Sequence, residues 1–147
     1  MLKTGRIVYV VLLLQLTYFK SFSQDENKSQ AVYLEVGGSG VSLSMNYDTR
    51  FTSKANGWGG RIGVGYLGDF FGGITVPLVI NYLVGEKKDF LEIGAGATYH
   101  DSSVIGTLPI GYRRVSDSGF TFRAGMALIY GDASLLFWPQ VSLGHSF

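Results

Sequence analysis

Phe120-Thr-Phe-Arg-Ala-Gly-Met-Ala-Leu-Ile-Tyr130 decides the fold of this chain. Successive side chains of a strand point to opposite faces, so Phe120, Phe122, Ala124, Met126, Leu128 and Tyr130 share one face, and Thr121, Arg123 and Gly125 lie on the other. A continuous apolar face backed by small residues and one arginine suits a barrel that meets lipid outside and has a narrow polar lumen.

The same period of two recurs through the chain. Eight alternating runs are separated by clusters of Gly, Asp, Ser, Asn and Lys: Ala31 to Val36, Val41 to Phe51, Trp58 to Tyr66, Gly73 to Val84, Asp89 to Tyr99, Val104 to Val115, Gly119 to Tyr130, and Phe137 to Phe147. Most are 9 to 12 residues long. At roughly 3.3 Å per residue and a tilt near 40°, such a run climbs about 25 Å, the height of an outer-membrane apolar band. The predicted fold is all-β, an eight-stranded antiparallel up-and-down transmembrane barrel preceded by a signal peptide. The first run is short, which leaves open whether residues 31–36 complete the barrel or fold as a plug.

Divided by face, the apolar side carries, among others, Leu34, Met45, Val64, Leu78, Ile80, Ile93, Leu108, Ile110, Leu128 and Leu143, and no Lys, Arg, Asp or Glu interrupts that series. The opposite side carries Tyr33 and Glu35; Ser42, Ser44, Asn46, Asp48 and Arg50; Arg61, Gly63 and Gly65; Thr75 and Asn81. It continues with Glu92, Gly94, Gly96 and Thr98; Thr107, Gly111 and Arg113; Gln140, Ser142, Gly144 and Ser146. A soluble sandwich would turn its apolar face inward and stud the other with solvating charges. Here that other face is mostly Gly, Ser and Thr, and small side chains relieve crowding inside a narrow barrel.

Length and composition agree with one membrane-embedded domain. The chain has 147 residues, of which 46% are hydrophobic and 16% charged, against the roughly 25% charge usual in soluble domains. It has no cysteine, which removes disulfides and thiolate metal sites. Lys3 and Arg6 precede the apolar stretch Ile7 to Leu14, and Ser21-Phe22-Ser23 places small residues at minus three and minus one, so residues 1–23 read as a signal peptide and 24–147 as the barrel. Without Lys3, Arg6 and Lys20 the chain keeps 9 of its 12 basic residues against 11 acidic ones, a net of −2. There is no basic stripe for a phosphate backbone, so nucleic acid is not an expected partner.

An even strand number leaves both chain ends on one side, the periplasmic one. The connections 52–57, 85–88 and 116–118 fall there with Lys54, Lys87 and Lys88, while 37–40, 67–72, 100–103 and 131–136 become short outer loops. Tyr47, Phe51, Trp58, Tyr66, Phe70, Phe71, Tyr82, Phe90, Tyr99, Tyr112, Phe120, Tyr130, Phe137 and Trp138 lie near run ends, as interfacial girdles require.

The closing Phe147, preceded by Val141, Leu143 and His145 at alternate positions, resembles the end of the terminal strand that outer-membrane barrels present to their assembly machinery. Tyr33-Leu34-Glu35, Ser44-Met45-Asn46-Tyr47-Asp48, Arg61-Ile-Gly-Val-Gly-Tyr66, Glu92-Ile-Gly-Ala-Gly96 and Gly111-Tyr-Arg113 extend the resemblance to OmpA/OmpX-like small barrels, and more closely to small outer-membrane barrels of the Bacteroidetes type. The resemblance implies a fold and the Gram-negative outer membrane as location. It implies no settled activity.

Glu35, Asp48 and Glu92 share the lumen face with Arg50, Arg61, Arg113 and Arg123. Buried charges are costly unless paired and hydrogen-bonded, so these seven are expected to form an ion network that plugs the barrel. His100-Asp101-Ser102-Ser103 and His145-Ser146 bring together hydrolase-type residues, but neighbours on a strand point in alternating directions and do not converge as a triad must. Gly37-Gly38-Ser39-Gly40 lacks the Lys-Ser/Thr ending of a phosphate loop and reads as a tight hairpin. No metal-ligand spacing and no cofactor motif is present, so none of either is expected. The leading expectation is therefore a monomeric structural or interaction barrel without catalytic activity. Its expected partners are outer-membrane lipid, lipopolysaccharide and the assembly machinery. A lipid-A-modifying barrel enzyme, a narrow porin-like pore and a secreted soluble barrel are the competing readings.

Overall fold

The computed structural model describes residues 28–67, 73–101, 103–131 and 134–147. The expected signal peptide lies outside them, as do Phe70, Phe71 and Ser102. Eight antiparallel strands close into a barrel in chain order: β1 Gln30–Gly37, β2 Leu43–Arg50, β3 Gly57–Tyr66, β4 Ile74–Glu86, β5 Asp89–His100, β6 Ser103–Val115, β7 Phe120–Gly131 and β8 Ser134–Ser146. Closure is by β1 on β8, where Ala31 pairs with Ser146 and Gly37 with Gln140. Every strand gains two neighbours there, so the barrel leaves no long free edge along its middle.

Burial follows the period of two. Leu34, Met45, Ile62, Leu78, Ile80, Ile93, Leu108 and Ile110 stand outward and exposed, while the positions between them are buried. Two aromatic belts flank this aliphatic band. One, at the end where Gln30 and Phe147 exchange backbone hydrogen bonds (the near end), carries Tyr47, Trp58, Tyr82, Tyr112 and Phe120; the other, at the far end, carries Tyr66, Tyr99, Tyr130 and Phe137. The near belt is ordered by local contacts: Trp58 and Tyr82 meet edge-on at 5.0 Å, and Tyr47 Oη donates to Gln30 Oε1 at 2.9 Å. Amphipathic rings of this kind suit a boundary between hydrocarbon and water.

Residues 31–36 complete the barrel as a full wall strand within β1, which settles the reading the sequence leaves open. Other expectations need correction. Val41 and Ser42 lie outside β2, because the first hairpin turns inward before the strand begins, and Ser42 is exposed. Phe90 is no girdle residue: it is buried in the lumen with Leu83 and Val115, against Ala55, and this apolar cluster caps the near end. Trp138 is half-buried at the far mouth rather than on the outer belt. Finally, β8 starts at Ser134, so residues 134–136 belong to the wall and not to an outer loop.

Candidate functional site

The seven charged residues expected in the lumen are all buried and within one network, and each of the eight strands supplies a member. From β1, Glu35 Oε2 accepts from Arg61 Nη1 at 3.1 Å, Arg123 Nη1 at 3.0 Å and Ser142 Oγ at 3.1 Å. From β2, Asp48 accepts from Arg113 Nη1 and Nη2 at 3.1 and 2.9 Å, a forked pair, and from Arg50 Nη2. From β5, Glu92 Oε2 accepts the Nε–H of Arg113 and of Arg123 at 3.0 and 2.9 Å, and Glu92 Oε1 accepts Arg123 Nη2 at 2.7 Å. Planar guanidinium forks allow one cation to serve carboxylates on two strands, which a lysine's point charge does less well.

Register alone does not give these pairs. Asp48 stands directly opposite Arg61 on the neighbouring strand, yet Asp48 reaches across the lumen to Arg113 while Arg61 turns to Glu35. The network combines chords across the barrel, such as Asp48–Arg113, with rungs between neighbouring strands, such as Glu35–Ser142 and Arg123–Ser142.

Besides Ser142, two further residues of the expected lumen face belong to the network without carrying the charge that marks its other members. Asn81 on β4 donates to Asp48 Oδ2 at 2.7 Å and Glu92 Oε1 at 3.1 Å, and accepts from Arg50 Nη2 at 2.6 Å. Tyr33 accepts from Arg61 Nη1 at 3.3 Å and lies under the Arg123 guanidinium, whose carbon is 4.4 Å from the ring centre. Such a contact adds cation–π attraction in a desolvated place.

The expected tight hairpin at Gly37–Gly40 has an unforeseen position. Gly38–Gly40 forms one 3-10 turn that is buried inside the barrel. Ser39 Oγ accepts from Arg61 Nη2 at 2.7 Å and lies 3.1 Å from Thr107 Oγ1, the Ser39 carbonyl accepts from Thr98 Oγ1 at 2.5 Å, and the Gly40 carbonyl accepts from Thr75 Oγ1 at 3.1 Å. Threonines of β4, β5 and β6 thus seat the turn, and Arg61 joins it to the ionic layer beneath. Only glycine tolerates the Gly38 conformation and space together: φ is +62°, and an added Cβ would come within 2.6 Å of Gln140 Oε1 and 2.8 Å of Glu35 Oε1. Val41, which follows the turn, is held at φ 72°, a strained value for a β-branched residue, and its carbonyl accepts from Trp138 Nε1 at 2.6 Å.

From near to far, the lumen is therefore an apolar cap, an ionic layer and an inserted polar turn. The described residues of the two hydrolase-like clusters do not converge as a triad. Ser103 Oγ donates to the main-chain carbonyl of His100 at 2.7 Å, and His145 points outward beside Phe147 while Ser146 points inward to Thr121 Oγ1 at 2.6 Å. Among the described residues no group of three or more His, Cys, Asp or Glu is placed to hold a metal ion. The alternate residues Val141, Leu143 and Phe147 all stand on the outward face at the closing strand.

No family model matches this chain, and no curated protein matches it. Among solved structures it is similar to the outer membrane protein Ail of Yersinia pestis, determined in a phospholipid bilayer nanodisc, with a TM-score of 0.53 over 81% of this chain and 99% of that one at 12% identity. At that identity the likeness concerns the fold: both are outer-membrane-type eight-stranded barrels.

Proposed function

We propose that this chain is a monomeric barrel of the Gram-negative outer membrane, of OmpA/OmpX-like or Bacteroidetes type, with a structural or interaction role and a lumen closed to ions. The observation that carries the reading is the network itself: four guanidiniums and three carboxylates from six strands, with Asn81 of β4, Ser142 of β8 and the Gly38–Gly40 turn, fill the lumen. An ion crossing it would have to displace charge-assisted hydrogen bonds held in a low-dielectric interior, where such bonds are strongest. The outward aliphatic band between two aromatic belts supports a lipid environment.

Charge placement supports the orientation with the near end in the periplasm. Lys28, Lys54, Lys87 and Lys88 belong to the near end, whereas the far connections carry Asp69, Asp101 and Asp132 and no Lys or Arg. A far rim without cations is poorly equipped to grip lipopolysaccharide phosphates directly, so contact with that lipid falls to the apolar wall. On this reading Val141, Leu143 and Phe147 form the strand face offered to the assembly machinery.

Two measurements test the proposal. Fractionation should recover the protein with outer membranes, with heat-modifiable migration in detergent gels, and planar bilayers should show no steady conductance after its insertion. Recovery in the soluble periplasm would overturn the membrane reading, and stable ohmic steps would overturn the closed lumen.

A further inference from the structure

The barrel wall is lower on one side at the far end. β1 stops at Gly37 opposite Gln140 because the chain then dives into the lumen, while β8 continues six residues further, to Ser134, paired only with β7. Among the described residues no strand covers the β1 side of residues 134–139, so a notch opens between β1 and β8.

A cavity of about 750 Å³ lies at that notch, lined by Val36, Val41, Leu67, Ile105, Trp138 and Val141 among others. Its size falls within the range of roughly 300–1,000 Å³ typical of small-molecule sites, and it shares their pattern of apolar walls with few polar groups. Two features say what it takes. Val36 and Val141 line the cavity and also stand on the outward aliphatic band, so the cavity is continuous with the lipid-facing surface. The projecting part of β8, Leu135-Leu136-Phe137-Trp138-Pro139, is apolar on both faces, as Leu78-Val79-Ile80 of β4 is where the lumen is packed, but here the strand stands beyond β1. A strand that met lipid outside and water inside would keep the alternation.

We infer that the notch admits one acyl chain of an outer-leaflet lipid, which enters sideways from the bilayer and lies on the inserted turn, against Trp138. The inference rests on the membrane reading above. The occupant is recognised by its hydrocarbon, because the far connections carry no Lys or Arg for a headgroup phosphate, and His100, which lines the cavity, already has the Asp101 carboxylate 3.6 Å from its Nε2.

The test uses Trp138 as reporter, since the only other tryptophan, Trp58, stands on the outside of the near belt. The full-length protein carrying Trp58→Phe is reconstituted in vesicles of a phospholipid brominated near the ester end of one chain. Trp138→Phe, which retains Trp58, is prepared in parallel. The expected result is loss of Trp138 emission comparable to that of Trp58, little quenching of Trp138 by aqueous acrylamide, and recovery of Trp138 emission when Ile105→Phe narrows the cavity. If Trp58 is quenched by the brominated chains and Trp138 is not, the chain site is wrong and the membrane reading stands. If neither is quenched, the membrane reading fails as well. Quenching of Trp138 by acrylamide alone would mean a water-filled mouth, and undiminished bromine quenching in the folded Ile105→Phe variant would mean contact only from outside; either overturns the inference.

Discussion

Arg113 and Arg123 are register partners on adjacent strands, both buried, and their Nε–H groups donate to the same carboxylate oxygen, Oε2 of Glu92. Like charges directly opposite one another on a sheet repel. Glu92 turns that clash into a three-body clamp, and Arg123 Nη1 and Arg113 Nη2 extend it to Glu35 and Asp48. Repulsion between neighbours is thereby part of what stretches the network across the lumen.

Replacing the clamp should be severe. In Glu92→Gln the two guanidiniums keep their burial and lose the charge between them, and breaking a buried ion pair on one side typically costs about 3–5 kcal/mol. Urea unfolding in lipid vesicles should show a loss of that order, and the double variant Glu92→Gln with Arg123→Met should recover part of it by removing one of the two stranded cations. A loss below about 1 kcal/mol for the single variant, the size of an exposed pair, would mean that the network contributes little.

The inserted turn gives a second test, because its seat is specified by hydrogen bonds rather than by area. Ser39→Ala removes the acceptor of Arg61 Nη2 and the partner of Thr107, leaving a buried donor unmet at about 1–3 kcal/mol. Gly38→Val adds backbone strain and a clash with Gln140 and Glu35. Both variants are expected to speed hydrogen exchange at the Ser39 and Val41 amides, Gly38→Val more so, while the outer strands stay protected. Unchanged protection in Gly38→Val would mean that the turn is not held by its fit in the lumen.

The wall and the ionic layer are legible in the sequence for one reason: both obey the period of two, and a charge at a lumen position stands out against Gly, Ser and Thr. Phe90 reads as a girdle residue from its place near a run end, whereas its parity sets it beside Glu92 and opposite Leu91, inside the lumen. Trp138 and the start of β8 were hidden because five consecutive apolar residues carry no alternation to count. The inward turn left no local signal. Gly37-Gly38-Ser39-Gly40 specifies a tight reversal, but the threonines that draw it inward, Thr75, Thr98 and Thr107, belong to three other strands and meet it only after closure.

Glycines offer a test of orientation that adds no charge. At Gly96, which lies on the inner face, an added Cβ would sit 2.7 Å from Val79 Cα and closer still to the Leu78 carbonyl, so Gly96→Ala has no space without moving backbone. At Gly60 the nearest atom would be Phe51 Cε1 at 3.4 Å, an ordinary contact with a movable ring. Gly96→Ala is expected to lose the heat-modifiable folded band in detergent gels or lower its melting temperature sharply, and Gly60→Ala to leave it unchanged. Equal behaviour would mean that the lumen is roomier than its packing indicates.

A surface ion pair at the near end should behave in the opposite way to the lumen. Lys88 Nζ donates to Asp117 Oδ2 at 2.6 Å, and this hydrogen bond, then the ammonium charge, lowers the Asp117 pKa below the usual aspartate range. A depressed carboxylate stabilises the folded state above its unfolded pKa and loses that contribution as pH falls through its folded value. Because Asp117 is exposed and screened, Asp117→Asn is expected to leave the unfolding midpoint at neutral pH unchanged within error, and carboxyl NMR titration should place its midpoint on the acid side of an unstructured aspartate.

Leu78→Arg probes the aliphatic band at its middle, where Leu78 faces Ile62 and Ala97 on the neighbouring strands. In a bilayer an outward arginine at mid-depth costs about 2–4 kcal/mol, falling to about 0–1 kcal/mol near the interfaces. The companion variant Tyr112→Arg, placed in the near belt beside Arg114 and Asp89, should therefore be tolerated far better. Reversible unfolding from vesicles measures both. A soluble barrel would show the two exposed sites as equals, so a cost that depends on depth separates a wall facing hydrocarbon from one facing water.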